Sequence, residues 1–198
     1  MSKGKLFIVS GPSGAGKSTV INAVISEMEN VKLAVSVTTR NPGPNDVNGR
    51  EYYFKTKSEF EELVAGGAFL EHAVYTGEYY GTLLSEVDEP RERGINMILD
   101  IEVKGARQVR DQIPEAVMIF LTPPSFSELE RRLRLRGRDA EEKITARLQT
   151  ARAELALIET YDYLIVNDDL EAAVNELQAI ITAENCHVCD KFELLRND

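Results

Sequence analysis

Two rhythms of apolar and polar residues alternate along this chain. "KLFIVS" (Lys5 to Ser10) is a continuous apolar run closed by Gly11-Pro12, the pattern of a strand buried on both faces. From Lys17 to Met28 the apolar positions Val20, Ile21, Val24, Ile25 and Met28 recur at helical spacing. "LAVSV" (Leu33 to Val37) reads as a second strand, and "TRNPGPNDVNGR" (Thr39 to Arg50) as loop or turn. After "YYF", Ser58 and Glu61 have the spacing of a capping box for a helix that ends near Gly66-Gly67. "AFLEHAVY" and "EYYGT" mix aromatic and polar residues and read as an irregular small subdomain. Regular alternation resumes at "INMILDIE", a strand ending in acids, followed by a helix from about Lys104 to Gln112. "AVMIFL" (Ala116 to Leu121) is a further strand. Ser125 and Glu128 form a second capping box, opening an arginine-rich helix to Arg136. Another helix spans about Ala140 to Glu159, "YLIV" (Tyr163 to Val166) is the last strand, and Leu170 to Ile181 the last helix.

Strands that alternate with helices predict an α/β fold: a parallel sheet flanked by helices on both faces. Two inserts interrupt it, at roughly Ala34 to Thr82 and Ser125 to Glu159. Ligands of such sheets bind at the carboxyl ends of the strands. The loop after Ser10, the acids near Asp100 and the segment after Val166 all fall there.

Composition narrows the classes. The 198 residues are 43% hydrophobic and 28% charged, ordinary for one globular enzyme domain. A formal net charge of −10 argues against a nucleic-acid binder that relies on bulk positive charge, so phosphates need a locally basic pocket. No apolar run reaches the roughly 18 residues of a membrane span, and "LFIV" is too short for a signal peptide. With two cysteines, both near the end, no disulfide framework is expected. The reading is a cytoplasmic protein with no nucleic-acid or membrane partner; oligomeric state is not legible.

The chemistry begins at "SGPSGAGKST". Gly11-x4-Gly16-Lys17-Ser18 is the P-loop pattern, set directly after a strand and before a helix. Its glycines let backbone N–H groups converge on one anion, and the helix N-terminus adds partial positive charge. Gly11, Pro12, Ser13, Gly14, Ala15, Gly16, Lys17, Ser18 and Thr19 are therefore the candidate ATP-binding residues. Lys17 would reach the β- and γ-phosphates, and the Ser18 hydroxyl would ligate Mg²⁺. No Asn-Lys-x-Asp tetrad occurs, so the guanine-reading motif of switch GTPases is missing.

"SVTTRNPGPNDVNGREYYF" (Ser36 to Phe54) resembles the monophosphate-binding segment of guanylate kinases. "FLEHAVYTGEYYGT" (Phe69 to Thr82), "ILDIEVKGA" (Ile98 to Ala106) and "IVNDDL" (Ile165 to Leu170) resemble that family's later landmarks. The resemblance runs from about Leu6 to Ile181. It implies a P-loop nucleoside monophosphate kinase that moves the γ-phosphate of ATP to GMP, and to dGMP, giving ADP and GDP. It also implies one kinase domain, with a core of about 1–33, 83–124 and 160–182. A GMP-binding insert of about 34–82, a helical lid of about 125–159 and a tail of 183–198 complete it.

Guanine presents two adjacent donors, N1–H and the N2 amine, and the acceptor O6. By resemblance Glu71 accepts both donors, while Ser36 and Thr82 are placed to donate to O6. Adenine would turn an acceptor toward Glu71 and leave a buried charge unpaired, a mismatch worth on the order of 10⁴-fold. Arg40, Tyr52 and Tyr80 match the positions that hold the GMP phosphate. Family members commonly carry a second arginine three residues after the first; this chain has Gly43. Either Arg50 or another cation compensates, or the phosphate is held more weakly. By resemblance Asp100 serves the acceptor site, and by position it could steady Mg²⁺ through water. Asn167, in "IVNDDL", is assigned to the ATP side.

Arg131, Arg132, Arg134, Arg136 and Arg138 put five cations into eight positions of an acidic chain. The segment resembles the family's lid, in which Arg132, Arg136 and Arg147 match catalytic positions. A lid of this kind brings guanidinium groups to the migrating phosphoryl and excludes water. Two rival readings remain open: a guanylate-kinase-like module that binds phosphorylated partners without catalysis, and a kinase of the same build acting on a ribose phosphate. Cys186-x2-Cys189, with His187 between, is half a zinc pattern whose other half is missing, so thiols on a terminal helix are expected there.

Overall fold

The computed structural model describes residues 3–75, 77–135 and 140–188. Strand β1 (Leu6–Ser10) leads through the P-loop into α1 (Lys17–Glu27) and then β2 (Val31–Leu33). The insert follows: β3 (Val37–Thr38), β4 (Tyr53–Phe54), α2 (Lys57–Ala65), β5 (Phe69–Tyr75) and β6 (Glu78–Leu83). The chain returns through α3 (Leu84–Glu92) to β7 (Asn96–Asp100), α4 (Val103–Gln112) and β8 (Val117–Thr122). Helices α5 (Phe126–Leu135) and α6 (Glu141–Leu155) and a short 3₁₀ turn precede β9 (Tyr163–Val166) and α7 (Leu170–Glu184).

The core sheet has five strands in the order β2-β7-β1-β8-β9, and every pairing is parallel. Burial on both faces explains the unbroken apolar runs. Phe7 and Val9 of β1 pack with Val20 and Val24 of α1 and Leu177 of α7, whereas Leu6 and Ile8 point the other way, to Val87 of α3 and Val109 of α4. Each such side chain contributes roughly 1.5–3 kcal/mol when fully buried. Crossovers leave β1 and β7 ending side by side, which brings Ser10 and the P-loop next to Asp100.

A second sheet, in the order β4-β3-β6-β5, carries the insert. The expected strand Leu33 to Val37 is two strands in two sheets. Ala34 N–H still bonds the Ile98 carbonyl of the core, but the next amide, Val35 N–H, goes to the Glu86 carboxylate. The chain leaves one sheet for the other at that point. The segments read as irregular are an antiparallel hairpin, β5 against β6. Its register shifts between Phe69 and Glu71, a bulge that places Phe69, Leu70 and Glu71 all in buried surroundings and breaks the alternation a strand otherwise displays. The bulge hides the strand in the sequence and aims Glu71 into the cleft.

The capping box of α2 lies two residues earlier than the sequence suggests. Thr56 Oγ1 accepts from Glu59 N–H, and Glu59 accepts from Thr56 N–H, while Ser58 lies inside the first turn. At α5 only half a box forms. Ser125 Oγ accepts from Glu128 N–H, but the Glu128 carboxylate is taken by Arg131 and Arg132, which hold it well down, at about 2. The helix is described to Leu135, so Arg136 and Arg138 lie outside the described residues, as does Cys189; Cys186 is exposed just past α7. Among the described residues no helix is long and apolar enough to cross a membrane.

Helix α4 joins the two sheets. Gln108 accepts from His72 N–H and donates to the His72 carbonyl, and Gln112 donates to the Leu70 carbonyl at 2.6 Å, so two side-chain amides occupy the outer edge of β5.

Candidate active site

A cleft of about 270 Å³ opens between the P-loop, the insert sheet and the start of α4. It is lined by Lys17, Ser36, Tyr52, Glu71, Tyr80 and Asp100, and also by Ser13, Tyr75, Glu102 and Gly105. Seven residues assigned from the sequence to the two substrates, Ser13 among them, therefore face one another across a single space.

On the donor side, Gly16 is the left-handed N-cap of α1 (φ 96°) and provides no side-chain cap, so the first amides of the helix stay open to an anion. A β-carbon on Gly16 would lie 2.4 Å from Asn167 Nδ2, and one on Gly11 would lie 2.0 Å from the Leu121 carbonyl oxygen. Only glycine fits these approaches. Asn167 donates to the Ala15 carbonyl at 2.8 Å and fixes the loop from beneath. Lys17 Nζ donates to the Gly11 carbonyl at 2.8 Å and stands 3.9 Å from Asp100 Oδ1. Ser18 Oγ donates to Asp100 Oδ2 at 2.9 Å.

On the acceptor side, Glu71 is buried to 5% exposure, and burial pushes its carboxyl above the usual carboxylate range. Thr82 Oγ1 donates to Glu71 Oε1 at 2.8 Å. The one proton of Thr82 is thus committed to the carboxylate, and Thr82 orients Glu71 rather than donating toward O6. Ser36, whose oxygen lies 3.5 Å from that of Thr82, also lines the cleft. Beneath Glu71, a β-carbon at Gly105 would come within 2.6 Å of Oε2. Helix α4 can approach the carboxylate only because residue 105 has no side chain.

Arg40 lies over the Tyr52 ring, 5.4 Å from its centroid, and Tyr52 packs edge-on to Tyr80 at 5.9 Å. Burial raises the Tyr52 phenol, so it is a neutral donor. Arg40 is also paired with Asp46 at 2.7 Å, and the same Asp46 oxygen accepts from Gly43 N–H at 2.7 Å. A β-carbon at 43 would point at Asp46, 3.2 Å away, with Arg40 Nη1 at 3.8 Å. Arg50 does not fill the place of a second arginine. Its Nε bonds Glu51 at 2.6 Å and its side chain is 66% exposed, away from the cleft lining.

From the lid segment, Arg147 of α6 donates to Ser13 Oγ at 2.7 Å, so this helix reaches the P-loop directly. Arg132 faces a second groove with Gly14, Gly16, Thr19 and Asn167, donating to the Asn167 carbonyl at 2.9 Å and to the Ala15 carbonyl at 3.4 Å. The two arginines therefore both bond the loop, Arg147 at Ser13 and Arg132 at Ala15.

Profile comparison matches residues 3–184 to the guanylate kinase family. This chain belongs to that family. It is 49% identical over 184 residues to the guanylate kinase of Carboxydothermus hydrogenoformans, covering 93% of this chain and 90% of that one. With the guanylate kinase of Streptococcus thermophilus it shares 47% over 187 residues, covering 94% and 90%. Among solved structures, guanylate kinase from Anaplasma phagocytophilum superposes with a TM-score of 0.79 at 32% identity, covering 96% of this chain and 90% of that chain. Shikimate kinase from Bacteroides thetaiotaomicron superposes at 0.51 with 16% identity and shares the fold alone.

Sequence reasoning missed Gly105, Asp46, Tyr75 and Glu154, which the structure sets at or beside the site. Glu154 had a signal. It follows Ile144, Arg147 and Ala151 on one stripe of α6, where Ile144 and Ala151 are buried, so Arg147 and Glu154 are polar residues on an inward-facing stripe. Burial, reinforced by the charge of Glu102, pushes the Glu154 carboxyl up to about 7, with Lys17 opposing.

Proposed function

We propose that this protein transfers the γ-phosphate of ATP to GMP, giving ADP and GDP, with dGMP as a second acceptor because recognition falls on the base and the phosphate. The observation that carries this reading is the buried Glu71 carboxylate, held by Thr82 and facing the same cleft as Lys17 and Asp100. Charge sunk in protein needs a partner, and the paired N–H donors of guanine supply it.

Roles follow from position. The P-loop amides and Lys17 hold the β- and γ-phosphates, and Asn167 and Arg132 brace the loop. Arg40, Tyr52 and Tyr80 hold the acceptor phosphate, for which Arg40 exchanges or shares its bond to Asp46. Arg147, Arg132 and Arg136 gather at the transferring group as the lid segment, about 125–159, excludes water. No side-chain nucleophile or base is required, because the attacking oxygen of GMP is already anionic.

The hydroxyl of Ser18 and the carboxylate of Asp100, 2.9 Å apart, are hard oxygen donors that fit Mg²⁺. Ser18 would hold the ion directly and Asp100 through water, and the ion would neutralise charge on the β- and γ-oxygens. Nucleotide substrates support a cytoplasmic location. The intact P-loop gives no support to a non-catalytic module, and Glu71 gives none to a ribose-phosphate kinase.

A coupled assay of ADP release with GMP, dGMP, AMP, UMP and ribose phosphates tests the reading. Turnover is expected with the two guanine nucleotides and is expected to vanish in Lys17→Ala with the fold intact. Turnover with AMP or a ribose phosphate at the rate seen with GMP would overturn it.

A further inference from the structure

Behind α4, away from the cleft, a second cavity of about 460 Å³ lies between this helix and the turn through which the lid segment returns to β9. Its helix wall presents Lys104, Arg107 and Arg110, three residues apart, so the cations step about 4.5 Å along one face. Opposite stand the apolar side chains of Met118, Leu157 and Tyr161.

The charges here are under-neutralised. The chain holds 33 acids to 23 bases, yet Lys104 and Arg107 form no ion pair among the described residues. Asp111 lines the same cavity without pairing to Arg107. Arg110 donates Nη2 to Asp162, but its Nε is buried and without a hydrogen-bond partner. Two cations without an ion pair, side by side on the wall of a cavity, are a place for an anion. The volume lies within the range of small-molecule sites, and the opposite wall offers a ring a surface to lie on.

We propose that this groove binds a phosphorylated, ring-bearing small molecule of the nucleotide class, separate from the two substrates, and that its binding restrains the lid segment. The phosphate pairs with Lys104 and Arg107, with the Arg110 guanidinium beside them, and the ring lies against Leu157 and Tyr161. Coupling has a physical route. Leu157 and Thr160 belong to the turn that ends the lid segment. Tyr161 lines the groove, and its hydroxyl is buried without a hydrogen-bond partner among the described residues. Asp162 ties the turn to both Arg110 and Met118 N–H. A guest that bridges α4 and this turn holds the lid segment's exit in place and lowers kcat without competing with GMP.

CMP is a suitable probe, because its ring turns an acceptor toward Glu71; inorganic pyrophosphate is the ringless control. Hydrogen exchange on the full-length protein, with ATP analogue and GMP saturating, is followed over residues 103–111 and 157–161. At tenfold excess over its Kd, CMP is expected to slow exchange in both segments roughly tenfold, and more than pyrophosphate does. It is also expected to lower kcat at unchanged GMP KM. Lys104→Glu with Arg107→Glu, and the milder Lys104→Gln with Arg107→Gln, are expected to abolish both effects while basal kcat stays within about twofold. Absence of protection, protection that survives in both double variants, or equal protection by sulfate at matched ionic strength would overturn the site. Equal protection by pyrophosphate and CMP would overturn the ring-binding wall.

Discussion

At the scale of single residues, the proposed acceptor site turns on a pair, Glu71 and Gly105. Adding one methyl group to residue 105 pushes against Oε2 at 2.6 Å, and Glu71 has buried neighbours on its other sides. Gly105→Ala is expected to lower kcat/KM for GMP about tenfold at constant ATP affinity. Thermal stability is expected to hold or rise, since alanine favours a helix by about 1 kcal/mol. Glu71→Gln is expected to cost on the order of 10²–10⁴ in kcat/KM for GMP and little in ATP binding, by steady-state kinetics with each substrate varied. Because burial raises the Glu71 carboxyl, acidification removes its charge sooner than for an ordinary glutamate, so KM for GMP is expected to climb on the acid side at a pH above the usual carboxylate range. Glu71 was singled out by the resemblance to guanylate kinases, and a carboxylate suits guanine's paired donors; the structure finds it buried, held by Thr82 and lining the cleft. Gly105 was not legible: nothing in "EVKGARQV" says that a carboxylate from another sheet ends against it. Arg50 was offered as compensation on chain proximity alone, and its neighbour Glu51 holds it.

Among elements, the parallel core was the easiest to read. Burial on both faces writes itself as "LFIV", "NMILD" and "VMIFL". The insert resisted because its strands are two residues long at β3 and β4 and carry a bulge at β5, leaving too little period to see. "KTKSEFEE" contains two overlapping cap patterns, and only geometry chooses between them. Thr56→Ala is expected to destabilise the protein by about 1 kcal/mol in denaturant unfolding, whereas Ser58→Ala changes little. The reverse order would place the cap where the sequence alone suggested.

The molecule as a whole closes a cleft over crowded acids. Burial raises both Glu102 from the core and Glu154 from α6; the charge of Asp100 adds to the first and that of Glu102 to the second, with Lys17 opposing both. A carboxyl raised to about 7 is neutral in the fold while its unfolded counterpart ionises near 4.5, so its contribution to stability is full below about 4.5 and lost as pH rises toward 7. Glu154→Gln is expected to flatten this dependence. Since Glu154 keeps some solvent contact, screening limits the gain at pH 8 to about 1 kcal/mol, a Tm rise of about 2–4 °C in scans without nucleotide.

The amides of Gln108 and Gln112 have a further consequence. The bare rim of a sheet is a template on which a neighbouring copy can add its own strand. In this chain that rim is already occupied where His72 and Leu70 meet α4. Replacing both glutamines with alanine is expected to bring concentration-dependent self-association, visible as rising light scatter. The helix that packs against Glu71 thus also covers the rim along which identical chains could stitch together side by side.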